Sequence, residues 1–290
     1  MRHKIAVLIA YFGNWPGWMN FFVESCRANR SIDWFIFGDS EPPENRAANV
    51  RHVRIGFDDY VALLSARLGQ PLNITQPYKL CDLRPSLAFV HRDLVGNYDF
   101  VGFGDLDVIY GDLRRFHDDE TLSRYDVLST HLDRVSGHYC LMRNTPEVTT
   151  AFRKTRGWKA CVATSDYTNF DERAIFNYLK GNRSRLLPAK APGIRCLFQE
   201  THSTPGVTDS MRWYWQDGQL TNEFYPSHPF MYLHFMSWQS NRWYESQPNA
   251  LPGAEAPWSK LPAIVRMDWR QARKHGFMIS PSGIEPIPDG

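Results

Sequence analysis

Short apolar runs alternate with segments of helical spacing from the N-terminus to about Leu179, and this alternation constrains the fold more than any other feature. Lys4–Ala10 is a continuous apolar run, as expected of a strand covered on both faces. Asn14 and Pro16 then supply start signals for a helix through about Arg27. Asp33–Phe37 and Val50–Ile55 read as further strands. Phe57–Leu68 places Tyr60, Leu63, Leu64 and Leu68 on one helical face, and Gly69 stops it. Leu80–Leu94 predicts another helix, with Pro85 in its first turn or at a kink. Tyr125–Thr130 and His138–Met142 read as strands, and helices follow near Pro146–Arg156 and over Phe170–Leu179. Such a pattern predicts an α/β fold with a mixed, mostly parallel sheet flanked by helices.

Beyond Gly181 the periodicity fades and proline and tryptophan become frequent. Met211–Leu220 reads as a hairpin turning at Asp217-Gly218. The expected division is a main domain over 1–245 and a Trp-rich extension over 246–290 that packs on it. Apolar residues make up 43% of the 290, enough for a sizeable core, and a net charge of +2 argues against general binding of nucleic acid. No apolar run is long enough to span a bilayer, and Ile5–Ala10 leads into Tyr11-Phe-Gly-Asn-Trp-Pro rather than a small-residue cleavage site. Five scattered cysteines without a Cys-x-x-Cys pair suit a reducing compartment, so a cytoplasmic location is expected. The Asn-x-Ser/Thr triplets at Asn29, Asn73 and Asn182 are then chance matches.

Chemistry concentrates in the stretch Tyr98–Tyr110, where an apolar run ends in Asp105-Leu-Asp107. Alternate side chains of an extended strand share a face, so both carboxylates are expected to project together. Acids are depleted in strands, and a hard divalent cation, Mn²⁺ or Mg²⁺, shared with substrate phosphates would explain the pair. Upstream, Lys79 could neutralise phosphate and Asp82 could accept from a ribose or sugar hydroxyl. Downstream, Asp171 and Glu172 stand at a helix start, where acids also serve simply as dipole partners. His234 lies in an apolar strand and becomes a ligand candidate because an acid pair exists elsewhere. Tyr11, Phe12 and Asp39 follow the first two strands, where open α/β sheets bind ligands, and are nucleotide-site candidates.

The order of these segments resembles the nucleotide-sugar glycosyltransferases of GT-A fold. An N-terminal strand and loop, Lys79-x-x-Asp82, Asp105-x-Asp107, the acidic Asp171-Glu172 helix start and a late His234-Phe strand carry that resemblance. It looks particularly like the glycogenin-like and bacterial lipopolysaccharide galactosyltransferase group, and like bacterial proteins encoded beside surface-polysaccharide genes. The group's late segment is His-x-x-Gly-x-x-Lys-Pro-Trp; here His234-Phe-Met-Ser-Trp-Gln-Ser-Asn-Arg242-Trp243 lacks the glycine and the Lys-Pro pair, and Gly104 replaces the apolar residue before the acid pair. The resemblance implies a cation held by Asp105, Asp107 and His234, a nucleoside diphosphate sugar as donor, and a glycan or lipid-linked glycan as acceptor. It also implies Asp171 or Glu172 as base if the reaction inverts, with the stereochemical outcome open.

Three other readings compete. A metal-dependent hydrolase would use the same acids but needs more ligands than the sequence offers. A dinucleotide-binding protein is suggested by Gly102-Phe-Gly104 but has Asp107 where the third glycine belongs. A carbohydrate-binding module would use the aromatic tail. In that tail Trp213, Trp215, Trp238, Trp243, Trp258 and Trp269 are spread among Arg212, Arg242, Lys260, Arg266, Arg270, Arg273 and Lys274. They read either as a peripheral contact with the inner membrane or, in the preferred reading, as packing over the sheet.

Overall fold

The computed structural model describes residues 2–181, 193–200, 212–235, 265–280 and 283–288. Asn182, Met211, Trp238, Arg242, Trp243, Trp258 and Lys260 lie outside the described residues, as does the late segment after Phe235.

A seven-stranded sheet forms the centre. Its strands are β1 (Ile5–Ala10), β2 (Ile32–Gly38), β3 (Val50–Arg54), β4 (Phe100–Gly104), β6 (Val127–Ser129), β7 (Tyr139–Arg143) and β8 (Cys196–Phe198). Their order is β3-β2-β1-β4-β7-β6-β8. The pairs β3–β2, β2–β1, β1–β4 and β6–β8 are parallel, and β7 runs antiparallel to both neighbours. The sheet is therefore mixed and mostly parallel, with helices on both faces. The unbroken apolar run of β1 has its cause here: Ile5, Val7 and Ile9 face one core, while Ala6 and Leu8 face the other. Helix Met19–Ala28 covers the first face with Phe21, Phe22 and Val23, and helix Phe57–Leu68 covers the second with Tyr60, Leu64 and Leu68. Gly69, at φ 72°, ends the latter helix in the left-handed region that glycine enters without steric cost.

Two local expectations differ from the structure. Leu80–Leu94 is not one helix: a 3-10 segment Pro77–Ser86 is followed by single turns Leu87–Val90 and Arg92–Val95. Pro85 has no N–H to donate and its ring crowds the preceding turn, which favours the tighter and interrupted form. The acid pair also lies outside any strand. β4 stops at Gly104 and β5 (Val108–Tyr110) starts after Asp107, so Asp105-Leu-Asp107 is the connection between them. Strand alternation is thus not what brings the two carboxylates together.

The later chain folds back on this core. β11 (Tyr232–His234) pairs antiparallel with β5, His234 opposite Val108. The hairpin β9 (Trp213–Gln216) and β10 (Gln219–Asn222) turns through Asp217 (φ 49°) and Gly218 (φ 77°), as its Asp-Gly pair demands. β12 (Phe277–Ser280) adds to β9 and is followed by β13 (Gly283–Glu285). Helix Trp269–His275 docks through Arg273 Nε, 2.9 Å from buried Glu24 on helix Met19–Ala28. Trp213 and Trp215 are core residues, so among the described tryptophans of the tail these two are buried rather than offered to a surface. Among the described residues no helix is long and apolar enough to cross a membrane.

Candidate metal and acid site

The connection after the central strand β4 is fixed from three sides. Asp105 N donates to His138 O at 3.2 Å, Phe235 N donates to Asp107 O at 3.1 Å, and Trp18 Nε1 donates to the carbonyl of buried Leu106 at 2.8 Å. Leu106 thus points into the core while both neighbouring carboxylates point away from it. The β5–β11 register then delivers His234, whose Nε2 lies 3.7 Å from Asp107 Oδ2. One ligand atom from each of Asp105, Asp107 and His234 lies within 4.8 Å of the others. At 3.7 Å the imidazole is too far for a hydrogen bond, and its buried Nε2 has no hydrogen-bond partner. A buried ring nitrogen without a hydrogen-bond partner, facing two carboxylates, is a donor set that could hold a cation. His138 stacks on the His234 ring at 3.8 Å and is itself held by the Tyr232 hydroxyl at 2.9 Å.

Charge in the cluster is uneven. Burial pushes the Asp105 carboxyl up to about 6, with Arg84 pulling it down and Asp107 adding to the rise. Burial acts on Asp107 in the same sense, but the adjacent His234 holds that carboxyl below its ordinary value. Arg84 joins this cluster to a second one. Its Nη2 is bonded to Asp105, and its Nη1 donates to Asp171 Oδ2 at 3.0 Å. Asp171 is fully buried at the start of a π-helical turn, Phe170–Ala174, and Tyr167 donates to its other oxygen at 3.2 Å. Burial pushes Asp171 up to about 7 despite Arg84, and Glu172 adds to the shift. Glu172 accepts from Gly137 N at 3.4 Å and lies 3.8 Å from Arg134. Gly137 leaves room for this cluster: a Cβ there would stand 2.7 Å from Arg84 Nη1, 3.0 Å from Glu172 Oε1 and 3.2 Å from Asp171 Oδ2, so the arginine tip would have to shift.

The other expected residues are distributed differently. Lys79 and Asp82 do not face the acid cluster; they form a buried ion pair of 2.8 Å, with side chains 1% and 0% exposed. Lys79 also donates to Asp166 O at 2.6 Å, while Asp82 accepts from Thr168 N, Thr168 Oγ1 and Phe170 N. The expected phosphate and ribose contacts thus give way to a clamp that holds the turn bearing Asp171. Phe12 likewise packs in the core against Phe57 and Tyr60. Asp39 is exposed and ties its loop to Gly13 N at 2.8 Å. Tyr11 stacks on Trp15, and burial, then the charges of Asp107 and Asp39, push its phenol up, which places it in the field of the acid pair.

Arg84 is the residue that sequence reasoning missed. It stands two residues after Asp82 in the segment already singled out, and no local spacing tells that it, not Lys79, turns toward the acids. The Gly102-Phe-Gly104 motif is explained by packing. A Cβ on Gly102 would lie 2.6 Å from Cys140 O of the adjacent β7, and one on Gly104 would lie 3.1 Å from His138 O.

No curated protein matches the chain. By fold it is similar to the solved galactosyltransferase LgtC in complex with donor and acceptor sugar analogs, at 12% identity and a TM-score of 0.46, covering 91% of this chain and 99% of that one. A glycosyltransferase involved in glycosylation of the major capsid of PBCV-1 is similar at 10% identity and a TM-score of 0.42, over 80% and 92% of the two chains. The sequence profile of a family of unknown function, DUF6625, matches residues 7–251, and the chain belongs to that family.

Proposed function

We propose that the protein is a metal-dependent glycosyltransferase that moves a sugar from a nucleoside diphosphate donor to a bacterial surface-glycan acceptor, in the cytoplasm. The observation that carries this reading is the convergence of Asp105, Asp107 and the unpartnered His234 Nε2 within 4.8 Å at the C-terminal end of the central strand. In an open α/β sheet that end is where ligands bind. Two carboxylates with one imidazole suit Mn²⁺, and also admit Mg²⁺. When bound, such a cation supplies Lewis-acid stabilisation of a departing diphosphate. Arg84, fixed between Asp105 and Asp171, adds a permanent positive charge beside the same place. Asp171 is the candidate to take a proton from an acceptor hydroxyl: with its carboxyl raised to about 7, both protonation states are accessible near neutral pH. Glu172, more exposed and held by the Gly137 amide, lies beside it as the alternative base. Among the described residues this is the one cluster of three or more metal-ligating side chains, which favours transfer over hydrolysis by a two-metal clamp.

The test is a thermal-shift screen of UDP-, GDP-, CMP- and dTDP-sugars with and without Mn²⁺, since a ligand that binds only the native state raises its stability. At least one nucleotide sugar should stabilise the wild type in a Mn²⁺-dependent way, and Asp105→Ala/Asp107→Ala should abolish the dependence while remaining folded. Stabilisation by glycans alone, indifferent to metal and to the double substitution, would instead establish a carbohydrate-binding protein.

A further inference from the structure

The end of the sheet opposite the acid cluster holds a cavity of about 430 Å³. It opens at the N-terminal ends of β1, β2 and β4, where Lys4, Ser31, Asp33 and Tyr98 line it. The five residues of β4 separate it from Asp105, roughly 17 Å of extended chain. Its walls also carry Arg2, Arg30, Arg51 and Arg114, five permanent cations when Lys4 is included. The chain as a whole has a net charge of only +2, so this concentration is local.

The acids do not balance it. Asp33 is the carboxylate in the lining, and its Oδ2 already accepts from the Tyr98 hydroxyl at 2.7 Å. Arg2, Lys4, Arg30 and Arg51 form no ion pair among the described residues, whereas Arg27, Arg54, Arg67, Arg124 and Arg143 elsewhere each have one. Arg114 is the fixed member: its Nε donates to Ser31 Oγ at 3.1 Å and its Nη2 to His3 O, while Asp119 stands 3.6 Å from Nη1. Burial, and then the charge of Arg2, lower its affinity for its proton, as expected where cations are left facing one another. Unpaired cations gathered in a concavity repel each other and focus a positive potential on it. Guanidinium groups match phosphate oxygens with parallel N–H donors.

We propose that this cavity is an anion-binding site for a phosphate-bearing ligand with more than one negative charge, separate from the acid cluster. Its volume lies within the range of small-ligand pockets and exceeds what a single phosphate fills. The inference does not depend on the transferase reading, because it uses none of that site's residues.

Inorganic pyrophosphate is the probe, titrated calorimetrically into the full chain in EDTA so that the acid cluster holds no cation. Arg30 and Arg51 are both exposed, so Arg30→Ala/Arg51→Ala should fold, and its unliganded melting temperature checks this. Wild type should bind saturably, and the double variant about tenfold more weakly for each guanidinium removed. Asp105→Ala/Asp107→Ala should bind as wild type does. A parallel sedimentation assay compares phosphatidylglycerol with phosphatidylcholine vesicles. Pyrophosphate binding identifies a soluble ligand, and binding only to the anionic vesicles, lost in the arginine variant, identifies a lipid headgroup. Binding of neither, or of either with unchanged strength in that variant, overturns the proposal.

Discussion

Removing Lys79 or Asp82 should destabilise the protein before it affects any ligand, and by unequal amounts. Taking one partner from a buried ion pair costs about 3–5 kcal/mol, because the survivor is left charged and out of water. The survivors here differ. In Lys79→Met the Asp82 carboxylate keeps three donors, Thr168 N at 2.8 Å, Thr168 Oγ1 at 3.0 Å and Phe170 N at 2.8 Å. That places the loss near the lower limit, about 3 kcal/mol. In Asp82→Ala the ammonium keeps Asp166 O at 2.6 Å and a distant Cys161 sulfur, and those three donors lose their acceptor. That loss belongs near the upper limit, about 5 kcal/mol. At roughly 2–4 °C per kcal/mol for a large domain, the melting temperature should fall by about 6–12 °C and about 10–20 °C respectively. Urea melts followed by circular dichroism give the free energies directly. A Lys79→Met protein within about 1 kcal/mol of wild type, or an Asp82→Ala protein more stable than it, would refute the clamp. A pair that contacted nucleotide would show the reverse pattern, intact stability with lost binding.

Acid should weaken the fold through two histidines: burial pushes His91 and His117 down to about 4 from 6.5, so each binds a proton more readily unfolded than folded. Their contribution is complete above pH 6.5 and drains away as pH falls toward 4, by roughly 3 kcal/mol for each. Melting temperature measured across that window should decline, and less steeply in His117→Gln; an unchanged slope in the variant would count against the assignment. Gly102→Ala should cost about 1–3 kcal/mol, because the new methyl would meet Cys140 O at 2.6 Å and a Leu141 methyl at 2.7 Å. Gly104→Ala, with nearest contacts at 3.1 Å, should be milder, and urea midpoints in the opposite order would show that the β4–β7 spacing is not what selects these glycines.

The fold was legible wherever one segment decides its own conformation. The β1 run has no polar side because both faces are covered, and Phe57–Leu68 matches its expected limits because an apolar face and a terminal glycine agree. The Asp217-Gly218 hairpin follows from turn chemistry alone. Pro85 was visible too, but its consequence was not. A proline near a helix start permits either a first turn or a break, and Leu80, Leu83 and Leu87 reach the core at spacings an unbroken helix would also give, so the sequence did not distinguish the two. The sense of β7 was likewise hidden, since an apolar strand buried on both faces reads the same in either direction.

At the site, what could be read was residue type, and what could not was direction. Two acids one residue apart suggest a cation in any extended geometry, so Asp105 and Asp107 stand out in the sequence on strand alternation, which the structure replaces with a loop tied by Trp18, His138 and Phe235. His234 reaches them through a strand pairing more than a hundred positions away in sequence, which no local pattern encodes. Lys79 and Arg84 show the limit most clearly. Both are cations in one basic segment beside an acid, and which of them turns inward is settled by the tertiary contacts of the folded chain rather than by local spacing, since positions three apart are neighbours in an α-helix as in a 3-10 helix. In the observed 3-10 form Lys79 and Asp82, three apart, fall on the same side and pair in the interior, while Arg84 is carried to another side and reaches Asp105 and Asp171. The same turn therefore builds the clamp and aims the arginine. Loss of the Lys79–Asp82 pair should consequently loosen the hold of Arg84 on both acids, even though neither member of the pair touches them.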